Sequence, residues 1–321
     1  RRITATSYAE WQLGATPSTA KPHVRTGYHG TARALIAQNG WSSAFADQIA
    51  FLTASRQAHA MTCDRAAFLG PGGTAMPEGL RRWSPWGRTE SVDDACATYQ
   101  VHLDIAPGAT EKVVFVLGAA TGLAEVDAFA QTFASPEKAA AATQAVADVW
   151  RRRLGAIRVD TPDETFDLMV NRWLPYQSFA SRILARAGFQ QASGGIGFRD
   201  QLQDMMAFLL SEPHRVRAHI LDCARHQFEE GDVLHWWHPP EDRGVRTRCS
   251  DDMLWLVYAT HAYVRATGDT SILQEEVPFL SAPPLAEDEE DRYAAFEIGP
   301  EATLLDHCFR AMQRGATSGP H

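Results

Sequence analysis

The chain has few cysteines and no excess of basic residues. Its 321 residues include five cysteines, widely spaced and without a CxxC pair. This excludes a disulfide scaffold and a zinc knuckle, and it fits a reducing compartment. Acidic residues outnumber basic ones by 39 to 30, so the net charge is -9. Surfaces that bind nucleic acid or anionic lipid need a basic face, so we expect neither partner.

Long apolar runs are also missing. No stretch approaches the roughly 18–20 apolar residues of a membrane-spanning helix, and the N-terminus lacks the apolar core of a signal peptide. We therefore expect no membrane contact by this segment. The first residue is Arg1 rather than Met, and the sequence begins in a strand-like alternation. We expect the chain to be an excerpt from a longer one.

The first third of the sequence predicts an antiparallel sandwich. Short β-branched or aromatic runs recur between clusters of glycine, proline, serine and asparagine, which favour turns. Val101, Leu103 and Ile105 alternate with His102 and Asp104, the period of a sheet with one solvent-facing side. The predicted strands cover residues 21–28, 34–37, 48–52, 60–64, 98–105 and 112–118.

From Leu123 the hydrophobic period becomes helical. Ser135, Pro136 and Glu137 combine a cap, a first-turn proline and an acidic residue, so we predict a helix from there to about Leu154. Further helices alternate short and long connections, which is typical of stacked helical hairpins in an (α/α) barrel. Only about half of a closed barrel fits into this part of the chain. The further predicted helices begin near residues 161, 200, 213, 251, 269 and 303.

Residues 191–204 join a glycine-rich loop to the start of a helix. Glycines let a backbone approach a ligand closely. Arg199, Asp200 and Asp204 follow, and the two aspartates share a helix face by their i,i+4 spacing. Carboxylates accept hydrogen bonds and a guanidinium donates them, which suits recognition of vicinal hydroxyl groups. The alternative is a capped helix with a structural ion pair.

Residues 231–240 place two tryptophans between two histidines. The ring of Trp237 can stack on the apolar face of a pyranose, and His235 can bind an anion or move a proton. The alternative is that both tryptophans pack in the core. A zinc site through His235 and His238 is not favoured, because the segment has no HExxH motif and no predicted helix. No metal site is predicted.

Residues 243–252 place three arginines, among them Arg248, before a helix N-terminus. This arrangement favours an anion site. Asp251 and Asp252 follow; the alternative is that they only complement the helix dipole while the arginines are solvated. Cys249 has no His and Asn set around it, so we expect a small buried residue.

These three segments, in this order, resemble glycoside hydrolase family 94, the inverting glycoside phosphorylases. Within that family they are similar to the C-terminal phosphorylase region of bacterial cyclic β-1,2-glucan synthases. The resemblance covers nearly the whole chain, and the FRDQLQD and SDD segments together are specific. Its residues lie at 8–11, 64–65, 68–70, 171–173, 176–177, 197–204, 227–233, 235–237, 244–248, 250–252 and 267–269.

The resemblance and the sequence patterns together predict a β-sandwich plus an all-α domain. Residues 1–122 would form an antiparallel super-sandwich of carbohydrate-binding type and residues 123–159 a helical linker. Residues 160–321 would form the N-terminal half of an (α/α)6 barrel, left incomplete. The resemblance also implies a homodimer through the sandwich and a cytoplasmic location, alone or as the cytoplasmic part of an inner-membrane protein.

The resemblance implies reversible phosphorolysis of a β-glucoside with inversion, on β-1,2-glucan. The partners are then a β-glucan or oligoglucoside and inorganic phosphate as co-substrate, with no cofactor. Phosphate attacks the anomeric carbon while one carboxylic acid protonates the leaving oxygen. Arg199 and Asp204 correspond to the family's sugar-binding pair. Cationic groups between His235 and Arg248 are candidates for contact with substrate or phosphate.

The family's general acid lies in a Gly-Asp-Trp-Asn-Asp motif, which does not occur in these 321 residues. We therefore expect the acid beyond His321 and predict that this polypeptide alone is inert. Two alternatives stay open. One is an inverting hydrolase with Asp200, Asp204 or Asp251 as acid and base. The other is a non-catalytic carbohydrate-binding module.

Overall fold

A computed structural model describes residues 2–14, 16–83, 87–90, 94–184 and 194–316. The chain divides into two compact units, residues 1–148 and residues 149–321. Within the described residues, no helix has both the length and the apolar character needed to cross a bilayer.

The described part of the first unit contains seven strands. They are β1 (Arg2–Glu10), β2 (Val24–His29), β3 (Ala34–Asn39), β4 (Gln48–Ala54), β5 (Ala60–Asp64), β6 (Ala95–Asp104) and β7 (Phe115–Thr121). The strand orders are β1-β6-β5 in one antiparallel sheet and β2-β3-β4-β7 in the other. Tyr99 and Val101 of β6 share a buried cluster with Leu35 and Leu52 of the other sheet. The predicted antiparallel sandwich is confirmed.

Helices complete the first unit and lead out of it. They are α1 (Pro17–Ala20), α2 (Arg65–Leu69), α3 (Glu78–Arg81), α4 (Leu123–Thr132) and α5 (Pro136–Leu154). Val126 of α4 packs on Ile49 and Phe51, which covers the second face of the four-stranded sheet. The helix α5 begins where its cap predicts, with Ser135 Oγ accepting from the Lys138 amide at 3.3 Å.

In the first unit, the residues that carry the family resemblance contact one another through their side chains. Tyr8 stacks on Phe68, with 5.2 Å between ring centroids, and its hydroxyl donates to Glu10 at 2.7 Å. Arg65 bridges Glu10 and Asp94 at 2.9 and 3.1 Å. These residues therefore join β1 to α2 and to the start of β6, which is a structural role.

The first described helical stretch of the second unit, residues 164–184, alternates between α-helical and π-helical segments. Residues 164–184 are helical throughout: α6 (Glu164–Leu168) and α7 (Leu174–Gln177) are each followed by a π-helical segment, Met169–Trp173 and Ser178–Leu184. Pro175, which cannot donate an N–H, lies between the two π segments. The later helices are α8 (Phe198–Met205), α9 (Pro213–Ala224), α10 (Asp252–Thr267) and α11 (Leu304–Gly315).

The prediction that the second unit is all-α is wrong. Its described part contains β8 (Ile196–Gly197), β9 (Leu234–His238), β10 (Arg243–Thr247), β11 (Glu276–Ser281), β12 (Asp291–Ala294) and β13 (Glu297–Thr303). They form a sheet of order β12-β10-β9-β8 and a β11-β13 pair. The predicted helix over residues 269–277 is a short 3-10 turn followed by β11. Val277 and Phe279 alternate into the interior, a period of two that the helical interpretation overlooked.

Candidate functional site

The predicted site residues come from elements whose ends meet. β8 leads directly into α8 and pairs with β9, which in turn pairs with β10. A loop of four residues then joins β10 to α10. Arg199 and Asp200 lie in the first turn of α8, His235 in β9, and Asp251 and Asp252 at the start of α10. The sheet thus brings together side chains that are up to 53 residues apart in sequence (199 to 252).

The strand β9 carries a bulge at His235. Leu234 pairs with Arg246 and Trp236 pairs with Val245, so the register passes over His235. A bulged residue is left out of the ladder and its side chain is re-aimed. This explains why His235 is exposed within a strand whose neighbours on the same sheet are mostly covered.

His235 is held by a buried carboxylate. Its Nδ1 lies 2.7 Å from Oδ2 of Asp252, and the side-chain exposures are 47% and 2% respectively. The hydrogen bond to Asp252 raises the pKa of His235 above its ordinary value, against the opposing effect of partial burial. The charges of Asp200 and Asp251 act in the same direction. The site therefore favours an imidazolium that is accessible to an anion.

Arg199 is fixed from two sides. Its Nη1 donates to Oδ2 of Asp251 at 2.7 Å. Its guanidinium also lies over the ring of Trp255, 5.5 Å from the centroid. Asp251 and Trp255 are four residues apart at the start of α10, so one helical turn supplies both contacts. Trp255 was not among the site residues predicted from the sequence, although its i,i+4 spacing from Asp251 was a signal.

Asp204 has an arginine partner that the sequence did not reveal. Arg182 Nε donates to Oδ2 of Asp204 at 2.7 Å, from the π-helical segment 22 residues earlier. Asp200 folds back over the end of β8: a Cβ at position 197 would lie 2.5 Å from its Oδ2. Gly197 is therefore needed for this arrangement of Asp200 at the helix start.

Trp237 lies in the core in this structure. It is 1% exposed, and its ring stacks on His226 with 3.8 Å between centroids. Phe198 meets it edge-on at 6.4 Å. Contrary to our prediction, Trp237 therefore has no exposed ring face in this structure on which a sugar could stack. Its neighbour Trp236 is the partly exposed member of the pair, as alternation along β9 requires.

Arg246 and Arg248, which precede α10, form hydrogen bonds to groups of the protein itself. Arg246 is 1% exposed and binds Asp232 through two hydrogen bonds, at 2.7 and 2.8 Å. Arg248, which we predicted to bind substrate, is exposed and donates to the backbone carbonyls of Glu289 and Ala286. Both arginines therefore anchor the segment that follows β11, with Arg246 also donating to the carbonyl of Ala282.

Cys249 is not the buried small residue that we expected. It is partly exposed, and its Sγ lies 3.3 Å from Oδ1 of Asp251. Burial is the main cause that raises the pKa of this thiol. The first three residues of the glycine-rich segment, 191–193, and residues 319–321 lie outside the described residues.

One unit of the chain is a β-sandwich, and the other brings arginine, carboxylate and histidine side chains together beside a small sheet. Two family profiles match the chain: the supersandwich domain of glycosyl hydrolase 94 over residues 1–136, and the catalytic domain of the glycosyl hydrolase 94 superfamily over residues 149–321. The chain belongs to glycoside hydrolase family 94.

Relatives of this chain include a glucan synthase and phosphorylases. The cyclic β-(1,2)-glucan synthase NdvB of Rhizobium meliloti (strain 1021) is 38% identical over 97% of this chain and 11% of NdvB. N,N′-diacetylchitobiose phosphorylase of Vibrio proteolyticus is 29% identical over 57% of this chain and 26% of that protein. The 3-O-β-D-glucopyranosyl-β-D-glucuronide phosphorylase of Paenibacillus borealis is 25% identical over 68% and 28%. The chain thus spans about a tenth to about a quarter of these relatives.

Proposed function

We propose that this chain supplies the sugar-binding wall of a glycoside phosphorylase that acts reversibly on β-glucosides with inversion. The observation that carries the proposal is the fixed pair on α8, Arg199 and Asp204. Each is held by a partner of opposite charge, Asp251 and Arg182, at 2.7 Å. A donor and an acceptor fixed on one helix can bind vicinal hydroxyl groups of one glucose unit.

The remaining candidate residues have different roles in this proposal. His235, supported by Asp252, is the cationic group best placed to face the phosphate anion. Asp200 and Asp251 complete the polar rim. Arg248 contributes through the backbone that it anchors, since its donors are directed at loop carbonyls.

The chemistry needs one proton donor from the protein. A phosphate oxygen forms a bond to the anomeric carbon as the glycosidic C–O bond breaks, and a carboxylic acid protonates the departing oxygen. The family motif expected to carry that acid does not occur in the 321 residues. We therefore propose that these residues alone bind sugar without turnover. We also propose that the helices of the second unit form one half of an (α/α)6 barrel. Phosphate is the only co-substrate in this proposal.

The proposed substrate is β-1,2-linked glucan. Support comes from NdvB, whose name describes a cyclic β-(1,2)-glucan synthase and which matches 97% of the chain. We also propose a cytoplasmic location and a homodimer formed through the sandwich unit.

Calorimetric titration with a β-1,2-linked oligoglucoside tests sugar binding. We expect Arg199→Ala and Asp204→Asn each to weaken binding at least about tenfold, a loss typical of a charged hydrogen bond. Arg265→Ala, an exposed arginine in the last turn of α10, is the matched control and should bind like the parent. Equal affinity in all four proteins would refute the role of the α8 pair.

An activity assay separates the enzyme classes. With glucose 1-phosphate and a glucose acceptor, this chain should release no phosphate. Phosphate release would show that the acid lies within these residues. Cleavage of the oligoglucoside without phosphate would instead identify an inverting hydrolase. Binding without turnover in a longer protein that includes the expected acid motif would identify a carbohydrate-binding module.

A further inference from the structure

An imidazole, a thiol and a carboxylate converge at the N-terminus of α10. One donor atom from each of His235, Cys249 and Asp252 lies within 4.8 Å of the others. The three come from different elements: the bulge of β9, the loop after β10 and the first residue of α10. Neither the sugar-binding pair on α8 nor its partners include Cys249, so the proposed function leaves this thiol unexplained.

The cluster combines a fixed part with an adjustable part. Asp252 is 2% exposed and holds the imidazole at 2.7 Å. Cys249 lies in a loop outside any strand or helix, so its Sγ can shift without breaking a backbone ladder. His235 is about half exposed, which gives an ion access from solvent. Donors with one rigid anchor and one mobile partner can close around an ion by small movements.

The charge around the cluster favours a cation. The carboxylates of Asp200, Asp251 and Asp252 all act electrostatically on His235. Oδ1 of Asp251 also lies 3.3 Å from the Cys249 sulfur, while its Oδ2 is bound to Arg199. Asp251 therefore offers a carboxylate oxygen as a fourth donor close to the cluster.

We propose that His235, Cys249 and Asp252 bind a divalent cation of the zinc class, with a coordination position open to solvent. A nitrogen, sulfur and oxygen set suits zinc, whereas a thiolate disfavours magnesium and calcium. Bond lengths of about 2.0–2.3 Å place tetrahedral donors about 3.5 Å apart, so closure needs movements of roughly 1 Å. On binding, the thiol and the imidazolium each release a proton to solvent, so that sulfur coordinates as the thiolate and the imidazole as the neutral ring. The inference does not require the proposed function; a bound ion would replace the proton that makes His235 cationic in that function, so the two states of His235 exclude each other.

Cobalt substitution tests the site in the purified chain. After treatment with EDTA and its removal, Co²⁺ is added and the near-ultraviolet charge-transfer band between thiolate and Co²⁺ is followed. We expect one equivalent of Co²⁺ to produce the band and one equivalent of Zn²⁺ to remove it. Cys249→Ser should abolish the band. Cys308→Ser, which alters a buried thiol in the same unit, is the matched control and should retain it.

Two further variants guard against a folding artefact. His235→Ala and Asp252→Asn keep the thiol, and each should weaken Co²⁺ binding by at least about tenfold, since even supporting residues of metal sites matter that much. Far-ultraviolet circular dichroism confirms that each variant is folded. The proposal is overturned if no band forms in the parent chain, if the band survives in Cys249→Ser, or if Cys308→Ser loses it equally.

Discussion

Asp252 is buried beneath His235 and holds the Nδ1 of its imidazole at 2.7 Å, although the two residues are 17 positions apart. The pair joins the bulge of β9 to the first residue of α10. It also turns a buried carboxylate into a support for an accessible cation, which a carboxylate on the surface would provide only weakly because solvent screens it.

The hydrogen bond between His235 and Asp252 makes the free energy of unfolding depend on pH. The pKa of His235 in the folded chain lies above its ordinary value of 6.5. Its contribution to folding is therefore fully present below that value and is lost as pH rises through the folded pKa. We expect Asp252→Asn to lower the His235 pKa, measured by NMR titration of the imidazole with EDTA present.

The control for that titration is Asp251→Asn. Asp251 acts on the same imidazole only through its charge, and its effect is the smallest of those that raise the pKa of His235. The shift should therefore be smaller than in Asp252→Asn. Equal shifts in the two variants would show that general negative charge, rather than the hydrogen bond, controls the imidazole.

Arg246→Met should destabilise the chain strongly. The substitution leaves the Asp232 carboxylate, which is 8% exposed, without its two hydrogen bonds from arginine. Removing one partner of a buried ion pair costs about 3–5 kcal/mol. Urea unfolding measures the loss. In the control Arg248→Met, hydrogen bonds of an exposed arginine to carbonyls are removed, which should cost about 1 kcal/mol.

Gly244→Ala should lower the melting temperature. A Cβ at this position would lie 2.6 Å from the carbonyl oxygen of Trp236, a backbone atom of the paired strand that cannot move aside cheaply. We expect a cost of about 1–3 kcal/mol, typical of overpacking. Gly30→Ala is the control, because no heavy atom lies within 4 Å of its added Cβ. A melting temperature lowered equally by both substitutions would contradict the steric explanation.

The ion pair between Arg199 and Asp251 should contribute little to stability. Their side chains are 46% and 45% exposed, and exposed pairs are worth about 0.2–1 kcal/mol. A double-mutant cycle with Arg199→Ala and Asp251→Ala, followed by urea unfolding, measures the coupling. A coupling energy above about 2 kcal/mol would mean that the pair is shielded from water and that its main role is structural.

Short-range sequence features determined the sandwich and the start of α5. Alternation along β6 and the cap at Ser135 act through neighbours within a few residues, so the sequence alone reveals them. The three glycine-, tryptophan- and arginine-containing segments were also recognisable. In the second unit, brief alternation in β9 and β10 was obscured by the polar and aromatic residues that suggested loops.

Only the tertiary structure decided which side chains meet. Asp204 with Arg182, and Arg199 with Asp251, are pairs separated by 22 and 52 residues. Such contacts depend on how helices and strands pack, so no local pattern identifies them. Packing likewise placed Trp237 in the core and used Arg246 to neutralise Asp232. Residue types in the sequence specified which chemistry was available, whereas burial and distance in the folded chain determined which groups remain accessible for it.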